Sequence, residues 1–456
     1  IQLIEKKEKP SNKSWRYDDY IEKPDEWKNE IKAGTIVSSL KLADKQLRSN
    51  ITRQLSAVQK LIDREEYRQA LDTYIIISEL LSNNPMVIYN TAWLSYKNGL
   101  FEEAVDYCKK TLDLTGEGID GKARKNHDTD GDTKSIRAKT HFGYGLCLYS
   151  MKKYELAVSQ FELAGEHAGE LRESQINIAR CYIAIGVLDK AQEHIEAALK
   201  LSEDSKLRFL LAKLCYEKKE EMKCKYQLES IVSSDDEFTE AWELLGGLYR
   251  KSEDWTDAQK AYKKLVQLAP QNADNYYYLG VAQREDGKTE EALSSLKFAT
   301  ELMPDHSRAF YSLASIYDAQ GDTDKAIEML HKSLDGNEKP EMAYNLLGEI
   351  YISNDRINDA IHVFKAAAKE HPDSYLIHYN LGISLMMMRR FEEAVRAFKR
   401  AQKLTDDDPS LYYNWASAEI GLKHYSEAAR LYKDGLKFKP DDDEILFGLA
   451  RVSALS

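Results

Sequence analysis

The run Asp128-Thr129-Asp130-Gly131-Asp132 has the alternating carboxylates that open a calcium-binding loop. Such a loop also needs glycine at its sixth position and a bidentate glutamate at its twelfth. Counted from Asp128 these positions hold Thr133 and Lys139, so the run reads as a solvated acidic stretch. Gly121-Lys122 lacks the earlier glycine and the following Ser or Thr of a phosphate-binding loop, and no G-x-S-x-G nucleophile motif occurs. The ten histidines show no metal-ligand spacing; His362, His371 and His378 fall on different helices or turns. No pair among the five cysteines, Cys108, Cys147, Cys181, Cys215 and Cys224, has zinc-ribbon spacing. An odd, scattered set fits core positions in a reducing compartment better than a disulfide framework. The sequence therefore predicts no catalytic residue, no metal ligand and no cofactor, and a chain that is not an enzyme by itself.

What does recur is an aromatic ring. Tyr89, Phe142, Phe209, Tyr277, Tyr311, Tyr379 and Tyr413 share one register, and from Phe209 onward they are spaced by multiples of 34 residues. Rigid rings repeated at one interval would supply contact area at low entropic cost, which is binding chemistry. The elements that position them must repeat as well.

They do. Units begin at Ile51, Pro85, Ala138, Arg172, Ser205, Thr239, Ala273, Ser307, Glu341, Tyr375 and Pro409, and every step from Ser205 to Pro409 is 34 residues. Position 8 is small from the second unit onward, as in Ala92, Gly145, Gly280, Gly348 and Gly382. Position 20 is alanine in ten of the eleven units and Cys224 in the other, a bias that composition cannot produce. Pro270, Pro304, Pro372 and Pro440 close four of the units at position 32, where proline cannot continue a helix. In Ala273–Pro304 small residues at 8, 20 and 27 (Gly280, Ala292, Ala299) let helices approach closely. Leu279 and Leu296 at 7 and 24 fill the space between them. This pattern resembles the tetratricopeptide repeat, a 34-residue helix–turn–helix. The resemblance implies an all-α fold: an α-solenoid, a right-handed superhelix of tandem units, each packing mainly on its neighbours.

On this register residues 1–33 form an aromatic and charged N-terminal arm carrying Trp15, Tyr17, Tyr20 and Trp27. Residues 34–50 are expected to be a capping helix and 51–114 the first two repeats. Residues 115–137 read as a flexible polar insertion, because the step from Pro85 to Ala138 is 53 residues. Repeats three to eleven occupy 138–442. Residues 443–456 match only a first helix, and are expected to be a C-terminal capping helix or a truncated repeat.

The net charge of −12 argues against nucleic acid, which calls for a basic stripe, and against an anionic membrane surface. No apolar run is long enough to span a bilayer, so a cytoplasmic protein is expected. The chain opens at Ile1 rather than methionine, which leaves room for a targeting segment ahead of it.

The resemblance implies that positions 2, 5, 9 and 12 of each first helix face the inner groove of the superhelix. Tyr89, Trp93, Tyr96, Phe142, Tyr149, Phe209, Tyr277, Arg284, Tyr311, Tyr379 and Tyr413 are accordingly the candidate partner-binding residues. Apolar early and late segments would grip two partner elements, with a charged middle setting register. Some members of the family hold a peptide carboxylate with a lysine–asparagine–arginine set on successive first helices. Asn90, Asn380 and Asn414 occupy one of its positions, but the preceding repeats lack the rest, so that clamp is not expected. The function expected is a non-catalytic scaffold or adaptor that binds other proteins or extended peptides. The alternative is the substrate-recruiting arm of a larger enzyme, such as a glycosyltransferase. Self-association through the terminal repeats, where Leu446 and Leu449 lie, is a further expectation.

Overall fold

The structure is a computed structural model and describes residues 45–122, 131–169, 172–405 and 407–454. The N-terminal arm and the first part of the proposed capping helix lie outside the described residues. All regular structure among the described residues is helical. In chain order the helices are α1 (Lys45–Asp63), α2 (Tyr67–Leu80), α3 (Pro85–Lys97), α4 (Phe101–Leu114), α5 (Gly131–Ser150), α6 (Tyr154–Ala168), α7 (Arg172–Ala184) and α8 (Leu188–Leu201). They continue with α9 (Ser205–Glu217), α10 (Glu221–Ser234), α11 (Thr239–Lys251), α12 (Trp255–Leu268), α13 (Ala273–Glu285), α14 (Thr289–Leu302), α15 (Ser307–Ala319) and α16 (Thr323–Asp335). The last are α17 (Glu341–Ser353), α18 (Ile357–Glu370), α19 (Tyr375–Met387), α20 (Phe391–Gln402), α21 (Pro409–Gly421), α22 (Tyr425–Gly435) and α23 (Asp443–Ser453). The chain divides into two compact units, residues 1–244 and 245–456, with the division inside α11.

Local chemistry fixes where the helices start. The side chain of Asn84 accepts from the backbone N–H groups of Met86 and Val87, with Pro85 at the first helical position. Asp204, Asn272, Ser374, Asp408 and Asp442 cap α9, α13, α19, α21 and α23 in the same way. The sequence reading separated a capping helix from the first repeat at residue 50. Instead α1 runs through that point, because Ile51, Leu55, Val58 and Ile62 form one buried stripe at helical spacing.

The turn inside every repeat is the same. Position 15 is left-handed in all eleven: Gly99, Gly186, Gly287 and Gly321, but also Glu65, Lys152, Lys219, Glu253, Asp355, Arg389 and Lys423. At Gly287, with φ +77°, the chain closes a Schellman motif: the Lys288 N–H donates to Gln283 O at 2.8 Å and Gly287 N–H to Arg284 O at 3.0 Å. The same bond, from the residue after the left-handed one back five positions, recurs in the repeats, as in Lys153 N–H to Leu148 O and Arg390 N–H to Leu385 O.

Packing within a repeat explains positions 8, 20 and 24. The ten position-20 alanines and Cys224 have no exposed surface. At position 8 a side chain would collide with position 24. A Cβ at Gly348 would lie 2.6 Å from Phe364 Cε2, and one at Gly145 2.7 Å from Phe161 Cε1. Ala314 stands opposite the smaller Leu330, whereas Ala416 is paired with Tyr432, whose ring is turned toward Gly448, so glycine is needed only where the position-24 side chain lies over position 8.

In the second unit the first helices α13, α15, α17, α19, α21 and α23 each touch the next in that series, besides packing on their own partners. In a stack of two-helix units the row whose members touch lies on the inside of the curve, so these helices line a concave face. In the first unit α3 and α5 touch in the same way.

Candidate partner-binding surface

The aromatic column does not behave uniformly. In the first unit Phe209 is completely buried against Phe238, with ring centroids 5.2 Å apart, and Tyr89 is 1 % exposed. Trp93 packs edge-on to Tyr67, and Phe142 packs on Phe161. In the second unit Tyr277 is buried beside His306, under the Arg308 guanidinium at 5.2 Å. Phe209 offers a partner nothing in this conformation, and Tyr89, Trp93, Phe142 and Tyr277 offer only an edge. The sequence reading placed these five in the groove. Neighbouring large side chains close over them, and they act as spacers between helices.

The other candidates are half-buried. Tyr96 leans on Phe101, and Tyr149 lies against Tyr154 with the Arg180 guanidinium 4.7 Å above its ring. Arg284 pairs with the adjacent Glu285 at 2.6 Å. Tyr311, Tyr379 and Tyr413 keep part of their surface open.

The best-organised stretch is on α17, α19 and α21. Tyr375 and Tyr379 stack at 5.7 Å, and the Tyr375 hydroxyl donates to Asp408 Oδ2 at 2.5 Å, tying α19 to the cap of α21. Burial, joined by Asp408, holds that hydroxyl protonated well above the ordinary tyrosine range. The Asn380 amide donates to Asn345 Oδ1 at 3.2 Å; the Asn414 amide donates to Tyr379 Oη at 2.9 Å and to Ser410 O at 3.0 Å. Among the described residues neither Asn380 Oδ1 nor Asn414 Oδ1 accepts a hydrogen bond, and both residues are half-buried. Toward α15 the face turns acidic: Asp318 and Glu349 lie on successive first helices, both open to solvent along part of the side chain, and partial desolvation of the carboxyl, with the Asp318 charge second, raises Glu349 above the usual range.

A second feature lies where the repeat spacing breaks. The sequence reading made residues 115–137 a flexible polar insertion. Yet α5 begins at Gly131, Gly118 N–H donates to Lys122 O, and Glu117 is 1 % exposed. The reason is electrostatic. Arg137 Nε lies 3.1 Å from Glu117 Oε2, and its guanidinium also donates to Thr115 O. The His167 Nε2 lies 2.6 Å from Glu117 Oε1, and His141 Nε2 lies 3.7 Å from it. Burial by itself would raise the Glu117 carboxyl, but the two imidazoles more than offset it and the net displacement is downward. The three ligand-type atoms of Glu117, His141 and His167 all fall within 4.8 Å of one another. Sequence spacing hides this set, because the insertion separates its members. The register gives only a weak signal: position 30 is leucine in six of the eleven repeats, and His167 departs from it together with Ser234, Gly336, Glu370 and Phe438. His167 also lines a cavity of about 450 Å³ shared with Tyr89, Lys134, Ala138, Phe142 and Glu173.

At the C-terminus α23 buries Ile445, Gly448 and Val452, while Leu446 and Phe447 are exposed. No described helix is long and apolar enough to cross a membrane.

These features define an array of helix–turn–helix repeats with a lined inner row. Family models of the tetratricopeptide repeat match residues 173–205 and 243–297, and the model of the tetratricopeptide repeat protein 21 C-terminal ARM domain matches residues 281–410. The chain is a tetratricopeptide-repeat protein. No curated protein matches it. Similar solved structures include YrrB, described as a TPR protein with an unusual peptide-binding site, at 17 % identity over 42 % of this chain and 98 % of that one, TM-score 0.37. MamA from Desulfovibrio magneticus RS-1 is 17 % identical over 36 % of this chain and 93 % of its own, TM-score 0.33. The APC/C hetero-tetramer Cut9–Hcn1 covers 93 % of this chain and 92 % of its own at 14 % identity, TM-score 0.35.

Proposed function

We propose that the chain is a non-catalytic scaffold that holds an extended segment of a partner protein along the first-helix row of its second unit. One observation carries this reading. The line of amides and rings from Asn345 through Tyr379 and Asn380 to Asn414 is fixed by its own hydrogen bonds, yet two carbonyl oxygens face outward unused. An extended chain advances about 3.3–3.6 Å per residue, and packed helices sit about 8–10 Å apart. Each first helix therefore meets a bound strand about once every three residues, and an asparagine at each crossing can accept one backbone N–H. The open faces of Tyr379 and Tyr413 supply apolar contact beside those amides. Asp318 and Glu349 favour a basic residue toward the α15 end, since a cation there offsets the desolvation and the smaller Asp318 repulsion that raise Glu349.

The test uses peptides selected from a displayed random library on the full chain. Asn380→Ala with Asn414→Ala should weaken the selected peptides about tenfold or more, the value of two neutral hydrogen bonds. Lys297→Ala with Glu301→Ala, exposed on the second helix α14, should leave affinity unchanged. Unchanged binding to the asparagine variant, or loss only in the α14 variant, contradicts the proposal.

A further inference from the structure

We infer that Glu117, His141 and His167 form a binding site for a divalent transition-metal ion, with Zn2+ the best match. The hydrogen bonds leading into the cluster settle the tautomer of His141. Gln160 Nε2 donates to Ile119 O at 3.1 Å, which turns Gln160 Oε1 toward His141 Nδ1 at 2.8 Å. Nδ1 must therefore carry the proton, and in the neutral ring Nε2 presents a lone pair. That atom is fully buried, has no hydrogen-bond partner and points at a carboxylate oxygen 3.7 Å away. In the neutral ring that lone pair and the carboxylate oxygen face each other across 3.7 Å, and a cation between them takes both as ligands.

The remaining geometry suits the same ion. The second imidazole nitrogen, His167 Nε2, is hydrogen-bonded to that oxygen at 2.6 Å and gives up the shared proton when an ion takes its place. Zn2+ bonds to histidine nitrogen and carboxylate oxygen at about 2.0–2.2 Å, which places tetrahedral ligands about 3.3 Å apart. The separations of 2.6 and 3.7 Å bracket that edge. Arg137 is ion-paired with the other carboxylate oxygen, Oε2, at 3.1 Å, which leaves Oε1 as the oxygen on the imidazole side. Its positive charge also rules out a strongly anionic site and favours a ligand set dominated by neutral imidazole. Gln160 orients the His141 ring as the hydrogen-bonded neighbours of metal-binding histidines do. His167 is 19 % exposed and borders the 450 Å³ cavity, which gives the ion a way in and a place for a fourth ligand. The three donors come from the turn after α4, from α5 and from α6, so the ion fastens the inserted segment where the regular repeat is interrupted.

The experiment uses the full chain stripped with a chelator and titrated with Co2+ and then Zn2+. The expected result is one tetrahedral Co2+ per chain, seen as visible d–d bands without thiolate charge transfer and erased by one equivalent of Zn2+. Zn2+ should also raise the thermal midpoint of the stripped chain. His167→Gln, at the partly exposed ligand, should weaken the metal by more than the 10–100-fold that loss of an outer hydrogen-bonding partner costs. Glu117→Gln should do the same, and Gln160→Leu should weaken it within that range. Absence of the Co2+ bands in the wild-type chain overturns the inference whatever the variants do. So does full-affinity binding retained by folded His167→Gln.

Discussion

Replacing Gly348 by alanine tests the packing rule on which the repeat rests. The new Cβ would collide with Phe364 Cζ and sit 2.6 and 2.7 Å from the two ring carbons beside it, and the ring has no exposed surface into which to move. Restoring an ordinary carbon separation of about 3.5 Å requires a shift of more than about 1 Å in a close-packed interior. Overpacking of this kind costs about 1–3 kcal/mol, against which alanine regains about 1 kcal/mol of helix propensity. The net expected loss is about 1–2 kcal/mol. Phe364→Leu alone should cost about 1–2 kcal/mol through lost burial and a cavity. The double variant recreates the Ala314–Leu330 pair that the chain already uses two helices earlier. It should be more stable than the sum of the single effects by at least about 1 kcal/mol. Hydrogen exchange of α17 and α18 amides in the full chain reads these local opening energies without assuming all-or-none unfolding. Additivity of the two substitutions, or a Gly348→Ala variant that exchanges no faster than wild type, would refute the reasoning.

Lys152→Gly relieves a left-handed non-glycine residue, a strain of about 1–2 kcal/mol, and costs about 0.4–1 kcal/mol through the freer unfolded chain. Thermal melts should show a small gain, whereas Gly287→Ala should lower the melting point. Burial raises all five cysteine thiols, Cys181 and Cys224 to about 12, so a thiol reagent at neutral pH should label fewer than one thiol per folded chain and all five in denaturant. Glu349 is raised in the folded state, so its favourable contribution is complete below its unfolded value of about 4.3 and is lost as pH rises through the folded value. Glu349→Gln should therefore gain stability relative to wild type as pH climbs from about 4 to 7, read from melting points in the two buffers.

The repeat itself was legible because its constraints are local and spaced regularly. Position 20 must be small wherever two helices cross, and prolines or capping residues mark where helices begin and end. α9, α11, α13, α15, α17, α19 and α21 each start at position 1 of a 34-residue unit. The left-handed turn residue was not legible, since only four of its eleven occurrences are glycine and the rest are charged. The candidate surface was legible in register but not in exposure. Phe209 and Tyr413 hold the same position, yet Phe238 covers the first, while the ring of the second stays partly open. That difference is set by residues outside the register, as is the partnership of Asn345, at position 5, with Asn380, at position 6. Glu117 escaped because the extra residues before Ala138 hide what the fold brings together. Charge pairing with Arg137 then orders part of a segment whose composition suggests a loop.

The most direct test of the scaffold reading places a photo-crosslinking residue at Ile383 and, separately, at Ser417. These are equivalent half-buried sites on α19 and α21, and each variant would be irradiated with a selected peptide bound. If the partner runs extended along the first helices, both positions capture the peptide, at residues about three apart in its sequence. Capture of one and the same peptide residue from both positions, or capture only from a residue placed at Lys297 on α14, would contradict it.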